Sequence, residues 1–293
     1  MRLHVDAPAE IYLKLENLQP IGSFKLRGAY NAMRRAPREA FAGGVVTASA
    51  GNMAQGVAWA ARELGVPATI VVPEHAPETK LAAIARLGGE VVKAPFERWW
   101  QAIEEHRFEG VEGLFVHPVE NEHVMAGNGT IGLEIIEDLP EVDAVVIPWG
   151  GGGLTTGIAS AVKQLRPETK IYAVEPETAA PLTATLAGGG EPVAVEYTAS
   201  FVDGAGSRAL LPRMWHLARP LLDGARAASL ADTANAVRLL AERARVIAEG
   251  AGALAVAAAL SGELGSGKLV CVVSGGNIDF STLTRILDGE TPR

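Results

Sequence analysis

Only seven of the chain's 26 basic residues are lysines. One of them, Lys25, lies between an aromatic residue and a leucine in Gly22-Ser23-Phe24-Lys25-Leu26-Arg27-Gly28-Ala29. An ammonium held among apolar neighbours is pressed toward its neutral amine, the form that attacks carbonyls and makes Schiff bases. A surface lysine that snorkels its charge to water leaves the same local signature, so this segment does not decide between the two readings.

Three further segments join a structured element to glycines or small polar residues. Thr47-Ala48-Ser49-Ala50-Gly51-Asn52-Met53-Ala54-Gln55-Gly56 follows a strand pattern and opens a helix pattern. Backbone N–H groups at a helix start bind anions such as a carboxylate. Ser or Asn there also serves as a plain N-cap. Trp149-Gly150-Gly151-Gly152-Gly153-Leu154-Thr155-Thr156 has the same strand-to-helix context. Its four glycines free the backbone to wrap a phosphate, and the helix adds its positive end. Ser274-Gly275-Gly276-Asn277 follows an apolar run and either presents a hydroxyl at the end of a sheet or simply turns.

Other chemistries find little support. Gly157 is followed by Ile158-Ala159 rather than the Lys-Ser/Thr of a Walker A loop. The glycine run itself lacks a G-x-G-x-x-G spacing, because Thr155 or Thr156 stands where the sixth residue would be glycine; Glu175, about twenty residues on at a strand end, would otherwise suit a ribose and a nicotinamide-linked oxidoreductase. The six histidines include no i, i+4 pair, and there is neither a Cys-x-x-Cys nor a G-x-S-x-G elbow. No metal is expected.

The elements that must position these groups alternate. Strands are expected at 11–15, 44–47, 69–72, 90–93, 144–147, 171–174 and 269–273, with helices at 54–64, 78–87 and 233–249. The alternation predicts an α/β protein with open, mainly parallel sheets flanked by helices. Residues 43–119 carry their own strand-helix set and are expected as a small inserted domain. Residues 1–42 and 120–293 then form a large ligand-binding domain, with ligands expected in the cleft between the two.

Composition bounds the rest. The chain has 293 residues, 48 % hydrophobic and 20 % charged, with a net charge of −8. That balance speaks against nucleic acid or an anionic membrane as partner, and leaves any anionic ligand to local groups. A single cysteine, Cys271, fits a reducing cytoplasm. The N-terminal stretch lacks a basic region followed by an apolar core, so no secretory leader is expected. The uncharged run from Ala144 to Val162 is interrupted by Pro148 and four glycines, and is expected as strand, loop and helix start rather than a membrane span.

In this order, SFKLRGA, SAGNMAQG, GGGGL and SGGN resemble the fold-type II pyridoxal-phosphate (PLP) enzymes, within them the threonine/serine dehydratase and serine racemase branch. Ala126 to Thr130, Asp203-Gly204 and Glu249 add to the match, which runs from about Ile11 to Asp279. Cysteine synthases carry an Asp after the lysine; this chain does not. The resemblance implies a tryptophan synthase β-like fold, PLP as cofactor, a small amino acid as substrate and a homodimer. It implies that Lys25 forms the Schiff base and later moves the α-proton, with Phe24 against the cofactor ring and Asn52 on its phenolic oxygen. Gly150, Gly151, Gly152, Gly153 and Leu154 would cradle the phosphate, and Ser274 would meet the pyridine nitrogen. Ser49, Ala50, Gly51, Asn52 and Gln55 would hold the substrate carboxylate, while Gly204 and Glu249 would line the site. The implied reaction takes L-threonine or L-serine to 2-oxobutyrate or pyruvate plus ammonia.

Several positions depart from that pattern. Racemases of the family carry a second serine where this chain has Ala50, which favours a dehydratase over an amino-acid racemase or β-replacement enzyme. Metal-dependent members have an Asp where Pro181 follows Glu175-Pro176, so no divalent-cation requirement is expected. Met53, Val119 and Trp99-Trp100 are also unusual and leave the preferred side chain open. The chain starts close to its first strand and ends at Arg293, so a leading helix and a C-terminal regulatory domain are expected to be missing. A PLP carrier without catalysis remains the competing class.

Overall fold

The computed structural model describes residues 1–293. Its strands are β1 (Arg2–Leu3), β2 (Ala9–Leu15), β3 (Val45–Ala48), β4 (Ala68–Pro73), β5 (Glu90–Ala94), β6 (Leu114–Phe115), β7 (Ala144–Pro148), β8 (Lys170–Pro176), β9 (Gly224–Ala228) and β10 (Gly267–Val273). The α-helices are α1 (Lys25–Arg35), α2 (Asn52–Leu64), α3 (Glu78–Arg86), α4 (Phe96–Glu105), α5 (Glu122–Asp138), α6 (Gly153–Leu165), α7 (Pro181–Ala187), α8 (Pro212–Ala218), α9 (Leu230–Leu239), α10 (Gly250–Leu260) and α11 (Phe280–Leu287). The α/β class follows from this alternation. The run from Ala144 to Val162 is indeed a strand, a loop and the start of α6, and no helix is long and apolar enough to cross a membrane.

The chain divides into two compact units, Met1–Ser23 with Gly129–Arg293, and Phe24–Asn128. Against the expected insert at 43–119, the smaller unit therefore begins earlier and ends later. The reason lies in packing. Ala29, Ala32 and Met33 of α1 share one apolar core with Met53, Ala54 and Val57 of α2, and Val124 of α5 joins them.

In the larger unit the sheet order is β1-β2-β10-β7-β8-β9, parallel except for the β1–β2 pair. β7 is buried at all five residues and β10 over its last five, as expected for strands covered on both faces. α10 is apolar all round and buried from Gly250 to Ala259, making it a central helix rather than a surface one. Helix 233–249 was expected as one piece, but α9 stops at Leu239 and a π-helical turn covers Leu240–Ala244. Arg245 then turns left-handed (φ 60°), and the Ile247 carbonyl accepts from Asn17 Nδ2 at 2.9 Å. Long-range hydrogen bonding here overrides an intact helical periodicity. β9 escaped prediction because Gly-Ala-Arg-Ala-Ala contains no β-branched residue.

The smaller unit has an all-parallel sheet, β5-β4-β3-β6. Chain order reverses at β3, which makes the end of β3 beside β6 a switch point, where open α/β sheets bind ligands.

Candidate active site

In the smaller unit, Lys25 opens α1 at that switch point. Its Nζ donates to the Pro118 carbonyl oxygen at 3.3 Å and lies 5.1 Å from the centroid of the Phe24 ring. α1 lies tight on α2 because residue 56 is glycine: a Cβ there would come within 3.0 Å of the Lys25 carbonyl. Leaving β3, the chain turns through Ser49, Ala50 and Gly51 into α2, whose first residue is Asn52. The Gly51 amide donates to Ser49 Oγ, and the Gln55 amide donates to the Gly51 carbonyl, both at 3.3 Å. A methyl on Gly51 would meet nothing within 4 Å, so this turn borders open space.

On the other side of the switch point, β6 continues into Val116-His117-Pro118-Val119. The pairing of Val46 with Phe115 sets Ala48 level with His117, and Thr47 Oγ1 donates to the Val116 carbonyl at 2.9 Å. His117 is buried, and its Nδ1 accepts from the amides of Val119 (3.1 Å) and Glu120 (2.8 Å). Burial, then the neighbouring His106 and Lys25, pushes its pKa down to about 4.

In the larger unit, β7 ends at Pro148 and hands over to the glycine run. The pairing of Cys271 with Val146 places Ser274 level with Trp149 at the carboxyl ends of two adjacent strands. Gly152 has φ 95°, open to glycine and strained for other residues. A Cβ on it would strike the six-membered ring of Trp149 at 2.7 Å, so the buried indole forms the floor of the loop. Thr155 Oγ1 donates back to the Pro148 carbonyl at 3.2 Å, pinning the turn, while Thr156 Oγ1 is buried without a partner. The helix start thus offers amides, a positive dipole end and one unspent hydroxyl. A Cβ on Gly150 would lie 3.4 Å from the Gly204 carbonyl oxygen, and one on Gly204 3.5 Å from Glu249 Oε1. The Glu249 amide donates to the Gly275 carbonyl at 3.0 Å, tying this group to the turn after Ser274.

Within the larger unit, a glycine turn at a helix start and a hydroxyl at a sheet end suit an anion; within the smaller unit, Lys25 stands beside the Phe24 ring. Glu175 has a different task. Its carboxylate, fully buried, accepts from the Leu182 and Thr183 amides and from Thr183 Oγ1 at 2.8–3.0 Å, so it caps α7 and is not free to bind a ribose. Burial raises its pKa to about 7 against the pull of these bonds. Cys271 is wholly buried, and burial pushes its thiol far above the usual range, so it is inert.

The sequence profile of the family described as "Pyridoxal-phosphate dependent enzyme" matches residues 2–275, and the chain belongs to that family. Pyridoxal phosphate is therefore its cofactor, and the expected α/β architecture is that of the family. The chain is 43 % identical over 282 residues to an L-threonine ammonia-lyase of Thermotoga maritima, covering 95 % of this chain and 70 % of that protein. It is 39 % identical to a catabolic L-threonine dehydratase of Escherichia coli K12, covering 94 % and 85 %. Among solved structures, the processed threonine deaminase isoform 2 of Solanum lycopersicum superposes with a TM-score of 0.86 at 36 % identity, covering 96 % of this chain and 78 % of that one. A maize serine racemase gives 0.87 at 32 %, covering 96 % and 87 %.

The structure gathers the sequence-predicted residues into two sets. Lys25, Phe24, Ser49, Ala50, Gly51, Asn52 and Gln55 lie in the smaller unit; Gly150 to Leu154, Gly204, Glu249 and Ser274 lie in the larger one. Pro118, His117, Thr156 and the Trp149 indole were missed by motif reading. The His-Pro pair closing a short strand pattern was the signal for two of them.

Proposed function

We propose that the chain is a PLP-dependent ammonia-lyase that converts L-threonine, and L-serine beside it, to 2-oxobutyrate or pyruvate plus ammonia. The observation that carries this reading is Lys25 held at a sheet switch point, in a chain so similar to named L-threonine ammonia-lyases. Bound pyridoxal phosphate supplies the electron sink for a carbanion at the substrate Cα. Lys25 Nζ would bond the cofactor aldehyde at rest and, once released by substrate, carry the α-proton. Gly150, Gly151, Gly152, Gly153 and Leu154 would hold the phosphate through their amides, with Thr156 Oγ1 as a further donor. Phe24 would pack on the ring, Asn52 would bond its phenolic oxygen and Ser274 its pyridine nitrogen.

The turn of Ser49, Ala50, Gly51 and Asn52, with Gln55, would take the substrate carboxylate, and Gly204 and Glu249 would line the site. Ser274 is neutral and does not keep the pyridine nitrogen protonated as an aspartate would, which favours prompt loss of the β-hydroxyl over a long-lived carbanion. Ala50 offers no hydroxyl to protonate the opposite face, which supports elimination over racemisation. A homodimer in the reducing cytoplasm completes the reading; the lone buried Cys271 supports the compartment.

The test is the visible Schiff-base absorption of purified protein with PLP, before and after L-threonine. The expected result is a band lost in Lys25→Ala, and 2-oxobutyrate from the wild type only. A Lys25-dependent band with no keto acid from threonine or serine would refute the reaction but not the cofactor. L-serine converted faster to D-serine than to pyruvate would make the protein a racemase instead.

A further inference from the structure

His106, His117 and Glu120 offer ligand atoms within 4.8 Å of one another, which first suggests a metal. The hydrogen bonds of His117 argue otherwise. Two amides aim at Nδ1, so this nitrogen carries the lone pair and the proton of the neutral ring sits on Nε2. A metal at Nε2 would demand an imidazolate, and one at Nδ1 would displace both amides.

The same two bonds bracket a residue that touches Lys25. The Val119 amide shares one planar peptide unit with the Pro118 carbonyl, the Glu120 amide belongs to the next, and the Pro118 carbonyl oxygen is the acceptor for Lys25 Nζ. Proline fixes its own φ, so one clamp on the following amides suffices to aim that carbonyl. We propose that His117 is a positioning residue for Lys25: by holding the Val119 and Glu120 amides at Nδ1, it fixes the Pro118 carbonyl that orients the Lys25 amine. With one N–H committed to Pro118, the amine's lone pair must point away from that carbonyl, ready to attack an aldehyde carbon or take a proton. His106, Glu120 and Lys25 are the ionisable groups around the ring. Burial keeps it neutral at working pH, so Nδ1 remains an acceptor.

This inference rests on the reading of Lys25 as the cofactor lysine. The experiment adds PLP to apoprotein and follows the rate of the Schiff-base band, as Nζ bonds the aldehyde carbon and water leaves. It compares wild type with His117→Asn, His117→Gln and His117→Leu, and records melting temperatures and kcat and KM for L-threonine. Asn places an acceptor oxygen where Nδ1 stands; Gln places one where Nε2 stands. The expected result is a rate and kcat about tenfold or more lower in the Leu and Gln variants, with KM nearly unchanged, and recovery to within about threefold in Asn. Equal rates across all four proteins, or equal recovery by Gln and Asn, would overturn the inference. So would a loss in which the melting temperature falls but the rate per folded molecule does not. A wild type without any Lys25-dependent band would instead sink the parent reading. Should Leu fail to fold, the Asn and Gln pair still decides.

Discussion

Gly152→Ala tests the proposed phosphate cradle most directly. A non-glycine residue in a left-handed conformation costs about 1–2 kcal/mol, and Gly152 sits at φ 95°. The added methyl would also lie 2.7, 2.9 and 3.2 Å from three ring carbons of Trp149, where carbon contacts normally rest at about 3.5–4.0 Å. The indole has little room to retreat: it is 1 % exposed and packs with Ala173, Leu182, Leu210 and Trp215. Overpacking of this kind costs about 1–3 kcal/mol more. The chain relieves the total by moving the loop, and with it the amides that would face the phosphate. A loss of about 3 kcal/mol in binding corresponds to roughly a hundredfold weaker PLP affinity. Titration of the visible band measures that affinity, and melting of the apoprotein measures the strain left in the fold. Trp149→Phe removes the ring atoms that the methyl strikes, so the double variant should recover the steric share and keep the backbone share. Wild-type affinity and melting temperature in Gly152→Ala would refute the reasoning. No recovery in the double variant would refute the assignment of the indole as floor.

Two buried groups act on apoprotein stability with opposite pH dependence. His117 has its pKa lowered from 6.5 to about 4, so the stability it contributes is complete above 6.5 and declines as pH falls toward 4, by at most about 3 kcal/mol. Glu175 has its pKa raised from 4.5 to about 7, so its contribution is present below 4.5 and declines as pH rises through 7. The two windows overlap, so denaturant unfolding of the wild type should change little between pH 4.5 and 6.5, whereas Glu175→Ala, though weaker throughout, should unmask a stability that rises with pH from about 4 to 6.5. Chelation should leave turnover intact, because both oxygens of Glu175 are spent on α7 and Pro181 heads that helix; activity lost with EDTA and restored by Mg²⁺ would contradict this.

What was legible in the sequence is what short-range patterning controls. β7 and β10 announced themselves as apolar runs, and the glycine loop stood out because four glycines between a buried strand and a helix have few other uses. Lys25 was legible only in combination with the other segments, since no lysine by itself differs from a surface one. Pro118 was marked only by the His-Pro pair, and its role was not legible: that part is played by a backbone carbonyl brought to Lys25 across 93 residues of chain. Thr156 and Trp149 were inside a quoted motif, yet their roles depend on which face of α6 and of the loop they occupy. The broken helix at Leu240 failed for the complementary reason: its periodicity was intact, but the Asn17 bond to the Ile247 carbonyl comes from 230 residues away.

One device recurs in both units. A parallel strand ends, the chain turns through residues with little or no side chain, and a helix begins with its N-terminal end at the turn: Ser49 to Asn52 after β3, Gly150 to Gly153 after β7. In a chain with a net charge of −8, a carboxylate or phosphate gains nothing from the overall field and must be met by oriented peptide dipoles at short range. Such dipoles reach a ligand only where side chains do not stand in the way. The abundance of glycine, with 33 residues, is therefore part of the binding chemistry and not only of the packing. Anion binding in this protein should thus respond far more to a methyl added at Gly152 than to a charge removed from a distant lysine.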